Sequence, residues 1–440
     1  MNDIDLEKIL SAVGGPLALQ YECAHVYPLS VPNFLPFSGS RPSVNSNKPF
    51  KLYIHIPFCN YSCRFCFYSK KIGASNELKE KYVSLLENEI LNIPIGANLE
   101  QLYIGGGTPT AISPELLNKI LESVFKRVNI LPNASLCIES SPESLTKEHI
   151  EVFKEKGIKR ISLGVDSLNE DILKAINRNH SKEEALEKCK LLISNGFEVN
   201  IDLIYGFEGQ TYDSFKKDFI SLSQYTPKSF TIYNLRLNEH TALKKKTDLN
   251  GLINLQNLIN WRKVVYETTL ENNYTQVRGH TFVKNMPSQS SYDRAPCVDG
   301  FSFGNQLGLG PSAISHIGSS IFRNVESLGD YVLASESNSN LTNSCYSLDE
   351  DDFKTLFIVR TLGDAQPIDC NVYRDRFGSS IEEDFIEVFN RLYAADLLQK
   401  NKNKIELTLT GKFVYDLILF SFYPKQCRRW IDERQELVRK

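Results

Sequence analysis

Short apolar runs alternate with helical patterns through the first part of the chain. KLYIHI (51–56), QLYIG (101–105), SLCIE (135–139), RISLGV (160–165), VNIDLIYG (199–206) and SFTIYNL (229–235) are rich in β-branched and aromatic residues, which predicts buried parallel strands. Between them Leu78, Tyr82, Leu85, Leu86 and Ile90 recur at turn spacing within Glu77 to Leu91, and a similar pattern runs from Pro114 to Phe125. Both predict helices. Such alternation implies right-handed parallel crossovers in an α/β fold, either an open doubly wound sheet or a full or partial β/α barrel.

Outside that stretch the pattern changes. Residues 1–49 hold Pro28, Pro32, Pro36, Pro42 and Pro49 and predict an irregular N-terminal leader. Residues 50–275 carry the repeat and include a helix over Ile253 to Leu270. Residues 276–345 read as a connecting segment, polar from Asn285 to Asp293 and glycine-rich from Gly300 to Gly318. In residues 346–440, helical patterns over Asp352 to Val359 and Ile381 to Leu398 are followed by KIELTLTG and an apolar helix. They predict a small winged-helix-like α+β domain.

Composition narrows the function classes. Of 440 residues 42% are hydrophobic and 23% charged, as in ordinary globular proteins. A net charge of -3 gives no field for polyanions, so nucleic acid is not an expected partner. Lys244, Lys245 and Lys246 form the one short basic run, a solvated helix face or a dock for an acidic electron donor. The start, MNDIDLEKIL, lacks the basic-then-apolar order of a secretory signal, and no apolar run nears the roughly 18 residues of a membrane span. The expectation is a cytoplasmic monomer. Of ten cysteines, Cys23, Cys137, Cys189, Cys297, Cys345, Cys370 and Cys427 are scattered, which fits a reducing compartment.

The other three are not scattered. YIHIPFCNYSCRFCFYS places Cys59, Cys63 and Cys66 as C-x3-C-x2-C directly after the first predicted strand. Three thiolates from one loop suit zinc or an iron–sulfur cluster, and structural zinc needs a fourth ligand for which His55 is the near candidate. A cluster with three protein thiolates keeps one iron open.

C-x3-C-x2-C is the signature of the radical S-adenosylmethionine superfamily, and YIHIPFC resembles its oxygen-independent coproporphyrinogen oxidase family. That family also includes heme chaperones, anaerobic heme-opening enzymes, C-methylases and cyclopropanases. The likeness continues through GGGTPT (105–110), RISLGVDSL (160–168), INRNHS (176–181), IDLIYGFEGQT (201–211) and LGLGPSAISHIG (307–318), over roughly residues 50–420. It implies a partial (β/α)6 barrel, a HemN-like C-terminal domain, a 4Fe-4S cluster on Cys59, Cys63 and Cys66, and S-adenosylmethionine as cofactor. Gly105, Gly106 and Gly107 would receive the methionine ammonium, and Thr108, Tyr53, Glu139, Arg178 and Asp202 would contact the same molecule. Asp166 matches a position where coproporphyrinogen oxidases carry glutamine and would place an acid near the cationic sulfonium. Gly308, Gly310, Ser312, Ala313 and Ile314 resemble the lining of a second S-adenosylmethionine site.

The resemblance also shows departures. Tyr68 stands where the namesake oxidases have a further cysteine, their F-Q-G-Y segment is missing, and RAPCVDGFSFGNQ (294–306) occupies the region. The H-N-x-x-Y-W of heme chaperones is absent too. The expectation is therefore methylation or cyclopropanation of an aromatic or unsaturated small molecule, with a second S-adenosylmethionine as carbon donor and flavodoxin or ferredoxin as low-potential electron donor. Tetrapyrrole chemistry, by decarboxylation or ring opening, and non-catalytic heme trafficking are the alternatives.

Overall fold

The computed structural model describes residues 5–14, 34–236, 241–243, 251–284 and 305–429. Lys244 to Lys246, the polar stretch from Asn285 to Asp293, Cys23, Cys297 and most of 294–306 lie outside them. The chain divides into one unit built from 34–231 and 302–348 and another from 1–33, 232–301 and 349–440.

The first unit holds the α/β repeat. Strands β1 (Phe50–Ile56), β2 (Ala97–Gly106), β3 (Val128–Ser140), β4 (Arg160–Asp166) and β5 (Glu198–Tyr205) pair in parallel in that order. Ile54, Ile104, Ile138, Leu163 and Ile201 are fully buried, as expected of strands covered on both faces. Helices α1 (Asn76–Ile90), α2 (Pro114–Phe125), α3 (Lys147–Glu155), α4 (Glu170–Ala175), α5 (Lys182–Ser194) and α6 (Tyr212–Ser223) follow the strands. Ser75, Ser113, Thr146, Asn169, Ser181 and Thr211 cap their N-termini, each side chain accepting a backbone N–H that would otherwise lack a partner.

The glycine-rich segment does more than connect. Strand β6 (Asn305–Leu309) returns to pair in parallel with β1 on the side away from β2, setting Gly308 opposite Tyr53. Strands β7 (Ile314–Ile317), β8 (Ser320–Asn324) and β9 (Thr342–Ser347) then continue antiparallel, and Leu35–Pro36 pairs with β9. A buried polar hub fixes this return. The Glu89 carboxylate accepts from the Gly310 N–H (2.8 Å), the Asn324 amide (3.0 Å) and the Tyr331 hydroxyl (2.9 Å), and lies 3.7 Å from the Arg41 guanidinium. Arg41 in turn donates to the Gly308 carbonyl at 3.0 Å. Glu89→Ala would strand a buried cation and several donors, so we expect it to lower stability by about 3 kcal/mol in urea unfolding, against a smaller loss for Glu89→Gln.

In the second unit the leader contributes a helix, Leu6–Val13, capped by the Asp5 carboxylate and ended by Gly14 at φ 88°. Helix Gly251–Glu271 leads to the hairpin Tyr274–Arg278/Thr281–Lys284. Arg262 donates to both oxygens of Asp416, at 2.8 and 2.6 Å. The single helix expected over Ile381 to Leu398 is corrected to Ile381–Asp384 and Ile386–Ala394, because Phe385 leaves helical geometry at φ -127° and ψ 34°. Leu398–Asn401 is instead a strand, joined to Lys404–Leu407 and Ile368–Asp369 in an antiparallel sheet. Among the described residues no helix is long and apolar enough to cross a membrane.

Candidate active site

The cysteine loop springs from the end of β1. Phe58–Cys59 pairs with Lys71–Ile72, and the Lys71 N–H donates to the Pro57 carbonyl at 2.7 Å, so the loop closes on itself. Within it the Cys66 N–H donates to the Cys63 carbonyl at 3.2 Å, and the Lys70 ammonium donates to the Cys66 carbonyl at 3.1 Å. The three thiols are half-buried and free of disulfides. Burial pushes the Cys63 thiol up to about 12, against the opposing charge of Arg178. Burial also raises Cys59, whose sulfur lies 3.6 Å from the Thr108 hydroxyl. Such thiols ionise when a metal takes the proton's place.

The glycine run at the end of β2 lies directly against this loop. The Gly107 N–H donates to the Ile56 carbonyl and the Thr108 N–H to the Phe58 carbonyl, both at 2.8 Å. A Cβ on Gly107 would stand 2.6 Å from the Phe58 carbonyl oxygen and 2.9 Å from the Cys59 sulfur; one on Gly105 would stand 2.8 Å from a Glu139 oxygen. Gly106 adopts φ 116°, which side chains disfavour. Glu139, at the end of β3, accepts from the Tyr103 hydroxyl at 2.6 Å and the Gly106 N–H at 3.3 Å. Burial raises its pKa, while those hydrogen bonds pull the other way.

Tyr53 and His55 occupy β1 beside it. The Tyr53 hydroxyl lies 3.0 Å from His55 Nδ1, and the Tyr53 and Tyr103 rings stack at 6.2 Å. Burial brings the His55 pKa down to about 4, so the imidazole is neutral at pH 7. The Ser69 backbone on the cysteine loop hydrogen-bonds the imidazole and opposes that shift.

Asp166 is not the bare acid that the sequence raised. It ends β4 at φ 64°, and its carboxylate accepts from Arg178 Nε. Arg178 Nη1 also donates to the Tyr61 hydroxyl at 2.8 Å. Asp202, on β5, accepts from the Ser162 hydroxyl at 3.0 Å and the Asn200 amide at 2.8 Å. Burial, with the Glu139 charge adding to it, pushes Asp202 up to about 7. A carboxyl raised in the folded state binds its proton more tightly there than in the unfolded chain. Its ionisation therefore removes stability as pH rises from about 4 to 7, and the loss persists above that. Asp202→Asn should raise the melting temperature of the metal-free protein at pH 8 and leave it nearly unchanged at pH 4, giving a flatter profile; equal shifts at both pH values would contradict the assignment.

Tyr53, the glycine run, Thr108, Glu139 and the cysteine loop are thus linked by direct contacts or strand register, with Arg178 tied to the loop through Tyr61. Gly308 lies beside Tyr53 across the β1–β6 register. A Cβ on Gly308 would meet the Ile314 carbonyl oxygen at 2.4 Å, so backbone fills this spot, while the Ile314 side chain is 38% exposed. Tyr61, Tyr103 and the Glu139-to-Gly106 bond escaped sequence reasoning. Tyr103 carries one usable signal, its place two residues before Gly105 and so on the same strand face.

These residues fit an iron–sulfur cluster and an aminoacid-bearing ligand. Cys59, Cys63 and Cys66 leave one loop half-buried and free of disulfides, and the charges of Cys59 and Cys66 both act on the Cys63 thiol. The Gly105 to Gly107 backbone packs against that loop with no room for side chains between them.

Comparison with known proteins agrees. The profile of the Radical SAM superfamily matches residues 53–220. The chain is 25% identical over 368 residues to the heme chaperone HemW of Lactococcus lactis subsp. lactis, covering 83% of this chain and 94% of that protein. It is 27% identical over 387 residues to an oxygen-independent coproporphyrinogen III oxidase of Helicobacter pylori, covering 82% and 83%. The solved coproporphyrinogen III oxidase (HemN) of Escherichia coli aligns with a TM-score of 0.74 over 86% of this chain and 91% of that one, at 23% identity, a likeness of fold.

Proposed function

We propose that the chain is a radical S-adenosylmethionine enzyme that directs radical chemistry onto a tetrapyrrole, a reading supported by the superfamily profile over residues 53–220 and by HemW- and HemN-type relatives along most of its length. The observation that carries the reading is the contact between the cysteine loop and the Gly105 to Gly107 backbone, with Glu139 fixed behind it by Tyr103 and Gly106. Cys59, Cys63 and Cys66 would hold a 4Fe-4S cluster. When bound, that cluster supplies the electron that splits S-adenosylmethionine into methionine and a 5'-deoxyadenosyl radical.

The chain's own residues do the rest. Gly105 to Gly107 and Thr108 would offer backbone to the amino group, and Tyr53, Glu139, Arg178 and Asp202 would hold the remainder of the molecule. Arg178 stays oriented because Asp166 and Tyr61 take two of its donors. The Asp166–Arg178 pair also removes the net charge that an isolated acid would place there. The neutral His55 adds no charge to the centre.

The HemW and coproporphyrinogen III oxidase relatives are heme-related, which favours tetrapyrrole chemistry over the carbon transfer expected from the sequence. Tyr68, in place of a further cysteine, favours a tetrapyrrole reaction other than coproporphyrinogen decarboxylation. A second S-adenosylmethionine beside Gly308 and Ile314 belongs to the carbon-transfer reading. The near full-length match to HemW supports a second reading, heme binding without turnover.

The test is anaerobic incubation of the reconstituted protein with S-adenosylmethionine, dithionite and either heme or coproporphyrinogen III. The expected result is 5'-deoxyadenosine accumulating in step with loss of one tetrapyrrole. Stoichiometric heme binding with no tetrapyrrole consumed would favour the trafficking reading. Release of S-adenosylhomocysteine would restore carbon transfer.

A further inference from the structure

Cys63 is bracketed by contacts from one short turn far away in sequence. Before it, the Tyr61 hydroxyl accepts from Arg178 Nη1 at 2.8 Å, and the Ser62 carbonyl accepts from the Asn177 side-chain amide at 2.8 Å. After it, the Arg64 N–H donates to the Ile176 carbonyl at 2.9 Å and its guanidinium to the Ala175 carbonyl at 3.0 Å. The residues on both sides of the central cysteine are thus bound to Ala175 through Arg178, while Cys63 itself is left to a ligand.

The turn is shaped for this. Asn177 sits at φ 62°, a left-handed conformation that asparagine tolerates better than most residues, and glycine there would lack the amide that reaches Ser62. Arg178 is held in turn by Asp166 and passes over Gly164, where a Cβ would come within 3.1 Å of its Nη2. The Tyr61 hydroxyl lies 3.4 Å from the Ser141 hydroxyl, so the latch is also anchored just beyond the end of β3.

We propose that Asn177 and Tyr61 are positioning residues that latch the cysteine loop to the turn carrying Arg178. The central thiol is then placed before metal arrives, and the loop and Arg178 keep one geometry. The inference rests on the reading that Cys59, Cys63 and Cys66 hold the cluster, and adds to it residues outside that ligand set.

Asn177→Gly keeps the backbone conformation and deletes the bond to Ser62; Tyr61→Phe keeps the ring and deletes the bond to Arg178. Each protein would be reconstituted with iron and sulfide and then challenged anaerobically with a chelator, following loss of visible absorbance. We expect Asn177→Gly to lose its cluster about fivefold faster than wild type, the factor an ordinary hydrogen bond contributes, with a drop of no more than about 2–4 °C in the melting temperature of the metal-free protein. Tyr61→Phe should bind wild-type amounts of iron but show a weaker change in the electron paramagnetic resonance signal of the reduced protein when S-adenosylmethionine is added. Cluster loss at the wild-type rate together with a wild-type spectral response would overturn the latch. So would a much larger melting-temperature drop in metal-free Asn177→Gly, about 10 °C or more, which would indicate a merely structural role. If the wild type itself took up no iron, the cluster reading would fail and the latch with it.

Discussion

Replacing Cys63 with alanine should leave the reconstituted protein with less than about a tenth of the wild-type visible absorbance and reduce S-adenosylmethionine cleavage to background. A thiol pushed up to about 12 by burial is neutral at pH 7 and carries no charge worth keeping unless a metal replaces its proton. Removing it from a metal-free fold is therefore mild, and removing it from a loaded one is severe. Cys59→Ala and Cys66→Ala should behave alike. Cys189→Ala is the control: its thiol is fully buried on α5, away from the loop, so the absorbance should stay. Ultraviolet–visible spectra and iron assays of the four variants decide it, and a Cys63→Ala protein with wild-type absorbance would refute the ligand assignment.

The second large effect is expected at Gly107. Even alanine would put a carbon 2.6 Å from the Phe58 carbonyl oxygen and 2.9 Å from the Cys59 sulfur, both closer than real contacts allow, and the first is rigid backbone. The strand end must move away from the cysteine loop. Overpacking of this kind costs about 1–3 kcal/mol in stability, and a displacement near 1 Å at reacting groups costs about a hundredfold in rate. Gly107→Ala should accordingly lower 5'-deoxyadenosine formation by about a hundredfold or more, with a modest drop in melting temperature. Gly329→Ala offers the comparison. A Cβ there meets nothing nearer than the Ser327 hydroxyl at 3.8 Å, in a helix where alanine is favoured, so activity should be unchanged.

The parallel strands β1 to β5 were legible because strands covered on both faces read as apolar runs, and the serine, threonine and asparagine caps announce the helices between them. Strand β6 was not. NQLGL opens with Asn305, whose buried side chain serves the loop before β1 by donating to the Asn45, Lys48 and Pro49 carbonyls. A polar residue used this way hides a buried strand from any hydrophobic pattern. In the site, the cysteines, the glycine run and Glu139 followed from spacing and block likeness. Tyr61, Tyr103 and Asn177 did not, because their roles come from partners 36 to 117 residues away that only the fold brings near. Asp166 shows the same limit from the other side: its charge could be read from the sequence, but not the arginine that neutralises it.

The cysteine loop and the glycine run would together cleave S-adenosylmethionine by one-electron reduction. This is tested most directly by incubating the anaerobically reconstituted protein with dithionite and S-adenosylmethionine and quantifying products by liquid chromatography. We expect 5'-deoxyadenosine and methionine in equal amounts, dependent on Cys63. Recovery of S-adenosylmethionine intact from a protein carrying a full complement of iron would contradict it.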